Sequence, residues 1–172
     1  MRIGPGVRWR EGGHELSSDE ELLRFHVADR DMLIKKAAAD ADLYQQVLQA
    51  AGRDPSHEVL ALSAYATSGP FSPAEIADKV PGREVLTVPY GRLRDAGVPV
   101  WPTTPSIDGV ADPLAQVHFD IVVATGPGIV PEQLRSGTKA QRREARERIA
   151  PWFDTVLRLF DGPFPPETLR ER

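Results

Sequence analysis

A histidine and an aspartate two residues apart, His118 and Asp120, are the pair in this chain whose types and spacing most readily suggest chemistry. They fall inside an apolar run, Leu114 to Ala124, that reads as the strongest strand of the sequence. In a strand, alternate side chains share a face, so the two project from the same side, about 6–7 Å apart along the strand. Asp is depleted from strand interiors. A carboxylate beside an imidazole can orient it, set its tautomer and support general acid–base catalysis. The alternative is that both stand on the polar, solvated face of a half-exposed antiparallel sheet. The catalytic reading gains weight if a third group converges on the pair, and His57, Ser63 and Tyr65 on another strand are candidates.

A second constellation is basic. From Arg135 to Arg148 the chain carries six basic residues against Glu144 and Glu147. On a helix, Lys139, Arg142, Arg143 and Arg146 crowd onto one flank, while Ala145, Ile149 and Trp152 face elsewhere. Lys139–Arg143 and Arg142–Arg146 are like-charge i,i+4 pairs, each costing a few tenths of a kcal/mol (~0.3) unless an anion or acidic partner offsets it. Such a flank suits phosphate, nucleic acid or an acidic protein surface. It also suits plain solvent. No aromatic residue is interleaved with it, so base stacking has no platform there.

Other chemistries find little support. Gly126-Pro127-Gly128 follows the strand where a phosphate cradle would lie, but Pro127 and Pro131 remove backbone donors. No Lys-Ser/Thr or G-x-G-x-x-G pattern completes it, which favours a plain turn. His14, His26, His57 and His118 have no metal-binding spacing, and Ser63 lacks a nucleophile elbow. The sequence therefore predicts neither a cofactor nor a metal.

The elements that must hold these residues follow from punctuation and periodicity. Gly12-Gly13 between Val7–Glu11 and His14–Leu16 predicts an N-terminal hairpin. Ser17 or Ser18 with a following Glu predicts a capped helix start, and Asp19 to Ala51 reads as one long helical segment, interrupted near Ala28-Asp29 and stopped by Gly52. His57–Thr67 reads as a strand. Ser72-Pro73-Ala74-Glu75 opens a short helix. Glu84–Val88 is a strand, Tyr90–Ala96 a helical turn ended by Gly97, and Val98–Trp101 a short or edge strand bounded by prolines. Thr103–Pro113 reads as loop. Pro131–Arg135 is a short helix or turn, and Thr138–Phe160 a helix opened by a Thr138/Gln141 capping box. The proline-rich tail, 162–172, is expected to be extended.

These elements predict a single α+β domain over 1–172, with a mixed or antiparallel sheet of about five strands and helices packed on it. The 41% hydrophobic and 27% charged fractions are those of a globular chain. Cysteine is absent, which excludes disulfides and thiolate chemistry and suits a reducing, cytoplasmic setting. No membrane-length apolar stretch or secretory signal is present. The Ala, Arg, Pro and Gly bias without asparagine points to a GC-rich bacterial or phage genome. A net charge of −4 opposes bulk attraction to nucleic acid or anionic membranes.

The functional expectation rests mainly on absences. A non-enzymatic module that binds another protein, in the manner of an immunity or assembly factor, fits best, with an acidic partner surface meeting the basic flank. An alternative is a hydrolase or transferase of a phosphate-bearing substrate, with His118 as acid–base, Asp120 as its orienting carboxylate and Arg142, Arg143 or Arg146 as the clamp. A second alternative is nucleic-acid binding through the helix over 138–149.

Overall fold

The structure is a computed structural model in which residues 6–12, 14–106 and 113–171 are described. Seven strands form one antiparallel sheet: β1 (Gly6–Trp9), β2 (Glu21–Phe25), β3 (Val59–Ala66), β4 (Val85–Pro89), β5 (Val100–Ser106), β6 (His118–Thr125) and β7 (Asp161–Phe164). Their order across the sheet is β1-β5-β6-β3-β2-β4-β7, and every pairing is antiparallel. The described helices are α1 (Arg30–Asp40), α2 (Gln45–Ala50), α3 (Pro73–Ala77), α4 (Tyr90–Asp95), α5 (Pro131–Ser136) and α6 (Lys139–Leu157). The fold is α+β, as expected, but it has seven strands rather than about five. None of the described helices is long and apolar enough to cross a membrane.

The long N-terminal helical segment is not formed. Glu21–Phe25 is instead a strand, because Leu22 and Leu23 are both fully buried, one on each face of a sheet covered on both sides. Two-sided burial erases the alternation that marks a strand, and leaves a run that imitates part of a helical stripe. Helix begins only at Arg30, where the Asp29 carboxylate accepts from the backbone N–H groups of Asp31 and Met32. The expected capping of a helix by Ser17 or Ser18 gives way to a turn. There Glu20 accepts from Ser17 N–H and bonds His14. Gly52, at φ +73°, does close the helical stretch after α2.

Among the described residues, Val7–Glu11 and His14–Leu16 do not pair as the expected N-terminal hairpin. β1 pairs with β5, with Val7 opposite Pro105 and Trp9 opposite Thr103. Gly12 turns the chain at φ +78°, whereas Gly13 lies outside the described residues. β5 is an interior strand, and it extends to Ser106 through what reads as loop. It tolerates Pro102 and Pro105 because it pairs with β6 over Val100–Pro102 and with β1 over Thr103–Ser106, so each half keeps one open side. The remainder of the expected Thr103–Pro113 loop, 107–112, lies outside the described residues.

Other expectations hold. Ser72–Glu75 and Thr138–Gln141 form reciprocal capping boxes at the starts of α3 and α6. Gly97 ends the turn after α4 at φ +76°. The strand predicted from Leu114 begins at His118, preceded by a 3-10 turn over Pro113–Val117. The tail is not merely extended. β7 pairs with β4, and a 3-10 turn over Pro166–Glu171 plugs Leu169 into the core at 2% exposure.

The main apolar core joins the sheet to α1, α5 and α6 through residues such as Leu62, Ile121, Ile34, Ile149 and Phe153. A second cluster, with Val7, Tyr44, Val47, Leu48, Trp101 and Val122, fills the space under α2. Between these two cores the sheet is imperfect. β2 pairs with β3 only at Leu22–Ala66 and Leu23–Tyr65, although it pairs with β4 over its full length. Beyond Tyr65 the two strands separate. On the β3 edge so exposed, Val59 N–H donates to the carbonyl of Ala41, in the α1–α2 link.

Candidate functional site

His118 and Asp120 do share a face of β6, as the period-two reading requires. Ser63 stands opposite Asp120 and Tyr65 opposite His118 on β3, while Trp101 on β5 stands opposite Asp120 from the other side. The solvated-face alternative does not hold: His118 is 2% exposed and Asp120 3%. Helix α2 and the Tyr44 region cover this face as well, so a polar strand pair has been placed inside the protein.

The group that joins them is Thr103, fully buried on β5. Its hydroxyl donates to Asp120 Oδ2 at 2.9 Å and lies 3.0 Å from His118 Nδ1. Nδ1 is also 3.2 Å from the Thr103 carbonyl, which can only accept, so Nδ1 carries the proton. The Thr103 oxygen then accepts from the imidazole while its own hydrogen goes to the carboxyl. Tyr44 donates a second hydrogen bond to Asp120. The result is a chain from His118 through Thr103 to Asp120, closed by Tyr44. Burial raises Asp120 above the usual carboxylate range, against the opposing pull of His118, Thr103, Tyr44 and Arg24. Burial also lowers His118, which Asp120 partly offsets. Tyr44 is pushed well up, first by burial and then by the Asp120 charge.

Asp120 opens onto a cavity of about 400 Å³ at the place where β2 and β3 part. That size falls within the range of small-molecule sites, about 300–1,000 Å³. Arg24 and Asp120 are its buried charges, Tyr44 and Tyr65 its buried aromatic walls, and Lys36, Asp40, Lys79 and Arg83 its exposed rim. Arg24, 7% exposed, fills the gap left by the interrupted strand pairing: its guanidinium donates to the Ser63 carbonyl at 3.0 Å. Its Nε has no partner. Burial lowers Arg24 to about 10, an effect that Tyr65 and Asp120 oppose. Arg24 and Asp120 line the same cavity and sense each other's charge, yet they form no ion pair with one another. Lys79 bonds the Tyr65 hydroxyl at 2.8 Å and lies 5.0 Å from the ring centre. Asp40 is raised, chiefly by partial burial, with Lys36 opposing and Asp120 adding to the shift.

The residues expected from sequence are therefore distributed as follows. Ser63 and Tyr65 join Asp120 at the cavity, while His118 packs edge-on against Tyr65 and does not line it. His57 pairs with Asp54 at 3.6 Å, away from the cavity. Lys139, Arg142 and Arg143 are exposed on α6 and Arg146 is half-buried there, and none of the four reaches the cavity. Gly126 and Gly128 form a turn at φ +119° and +90°. Among the described residues no cluster of three or more His, Asp or Glu is arranged to hold a metal ion.

Arg24, Tyr44, Lys79, Arg83 and Thr103 were not legible as site residues. Arg24 and Thr103 fall in segments whose sequence imitates helix and loop. A lone arginine between Leu23 and Phe25 in a buried strand was the available signal, since an Arg is almost never fully buried without a partner. Comparison of the chain with protein-family models, with curated proteins and with solved structures finds no match in any of the three.

Proposed function

We propose that this protein binds a small anionic molecule in the cavity between β2 and β3, with Arg24 as the anion's principal partner. One observation carries this reading: a guanidinium that is 7% exposed, faces a 400 Å³ cavity and keeps an unpaired Nε. A buried donor left unpaired costs about 1–3 kcal/mol, and more when charged. A carboxylate or phosphate oxygen in the cavity would offset the cost of burying this guanidinium charge through a charge-assisted hydrogen bond to its terminal nitrogens. Lys36 and Arg83 on the rim add attraction for an anion, and Phe25, Val27 and Leu33 supply apolar wall. In the enzymatic form of this reading Asp120, not His118, is the group that meets the ligand. His118 and Thr103 then act as positioning residues behind it.

The test is an NMR titration with inorganic phosphate and with acetate, following the Arg24 Nε–H resonance together with the backbone amides of Ser63 and Asp120, which line the same cavity and remain observable in every variant. Saturable shifts, weakened by Arg83→Ala and abolished by Arg24→Met in folded protein, are expected. Unperturbed Arg24 resonances with both anions overturn the reading.

A second reading, docking of an acidic protein surface on α6, is favoured by a separate observation. Lys139 and Arg146 hold no ion pair among the described residues, whereas Arg143 pairs with Glu147 at 3.2 Å and Arg142 bonds the Gly137 carbonyl. Binding to immobilised polyglutamate that disappears in a Lys139→Glu/Arg146→Glu variant supports it. Preference for DNA over polyglutamate at equal salt points to nucleic acid instead.

A further inference from the structure

We infer that the ligand is a zwitterion: a small molecule that carries an ammonium group as well as its anionic group, of the amino-acid or amino-phosphate class. This rests on the anion-binding reading and narrows it.

Two charges of opposite sign are buried in one cavity without touching each other. Arg24 on β2 and Asp120 on β6 are 7% and 3% exposed, both line the cavity, and no ion pair joins them. Buried charges are ordinarily paired, because an isolated one carries a large desolvation cost. Asp120 is supplied with neutral donors only, from Thr103 and Tyr44. A purely anionic ligand satisfies Arg24 but adds a like charge near Asp120. A ligand with an ammonium beside its anionic group satisfies both.

The rim, too, carries both signs of charge. Asp40 lines the same cavity as Asp120 and Tyr44, and the Asp120 charge contributes to raising Asp40. Arg24, Lys79 and Arg83 line the cavity with Tyr65 and Phe25, while Lys36 on the rim favours the ionised form of Asp40. An ammonium placed between Asp40 and Asp120 relieves the repulsion and favours the ionised form of both. Phe25, Tyr44 and Tyr65 leave room for an apolar or aromatic body between the ends, within a volume suited to a molecule of modest size.

The experiment uses matched pairs that differ only in the ammonium group: alanine and propionate, γ-aminobutyrate and butyrate, phosphoethanolamine and ethyl phosphate. Affinities are measured by isothermal titration on the wild-type chain and on Asp40→Asn and Asp120→Asn. The expected result is that at least one ammonium-bearing member binds about tenfold or more tightly than its partner, a difference of about 1.4 kcal/mol. Asp40→Asn, on the exposed rim, is expected to shrink that ratio even if Asp120→Asn fails to fold. Equal binding within every pair overturns the inference and leaves the anion reading standing. If no member of any pair binds, both fall.

Discussion

Tyr65 and His118 stand directly opposite each other across β3 and β6, their rings edge-to-face at 76° with centroids 5.4 Å apart. Phe25 also packs edge-to-face on Tyr65, with centroids 6.3 Å apart, and Lys79 bonds its hydroxyl. Tyr65 thus links the buried polar chain to the cavity wall. Tyr65→Ala is expected to cost about 3–5 kcal/mol in urea unfolding, as for other large buried aromatics. Tyr65→Phe, which keeps the rings packed, is expected to cost about 1 kcal/mol or less. Equal losses would show that the packing contributes little.

The His118–Thr103–Asp120 chain makes a prediction about acidity. His118 is held below its ordinary value by burial, so the unfolded chain binds its proton more readily than the folded one. Its contribution is therefore intact above about pH 6.5 and is lost as pH falls, at up to about 1.4 kcal/mol per pH unit. Asp120 is shifted the other way: raised by burial, it favours the folded state at low pH and loses that advantage as pH rises above the ordinary carboxylate range, about 3.9. Unfolding free energies measured from pH 4 to 8 should show a flatter acid limb in His118→Gln and a steeper one in Asp120→Asn. If both variants keep the wild-type slope, neither group titrates as described.

Thr103→Val tests the middle of the chain. It removes the hydroxyl that donates to Asp120 but keeps the carbonyl that accepts from His118 Nδ1. The expected cost is about 1–3 kcal/mol, the penalty for an under-satisfied buried group. In the NMR spectrum of the variant, the His118 Nδ1–H proton should remain protected from exchange. Its loss would mean that the hydroxyl, not the carbonyl, fixes the tautomer.

Arg24 is expected to behave differently from an ordinary buried residue. Replacing a buried, incompletely paired charge by an apolar side chain of similar length is often neutral or stabilising. Arg24→Met should leave the melting temperature unchanged or raised, while binding of inorganic phosphate is lost. A large fall in melting temperature with binding retained would assign Arg24 a purely structural role as filler between β2 and β3.

At the C-terminus, Leu169 is 2% exposed. Leu169→Ala should destabilise by about 2–5 kcal/mol. An extended, unpacked tail would make the same change silent in thermal unfolding.

How much of this was legible in the sequence depended on whether local signals were self-sufficient. Ser72-Pro73-Ala74-Glu75 and Thr138–Gln141 announce their helices because capping is a contact among neighbours. Glu21–Phe25 misleads because its structure is decided by what covers it on both faces, and that information lies elsewhere in the chain. The sharing of one face by His118 and Asp120 was readable from β6 alone. Their burial was not, since it depends on Tyr44, Val47 and Leu48 arriving from α2 and the link before it. Arg24 was hidden for the same reason: the gap it occupies arises from where two strands stop pairing, which no single segment encodes.

That interruption also divides the molecule. Two residue pairs, Leu22–Ala66 and Leu23–Tyr65, are the strand-to-strand stitching between a four-stranded leaf, β1-β5-β6-β3, and a three-stranded leaf, β2-β4-β7. Asp120 belongs to the first leaf and Arg24 to the second. A molecule held by both would act as an added rung across the seam, so occupancy of the cavity and rigidity of the whole sheet would rise and fall together.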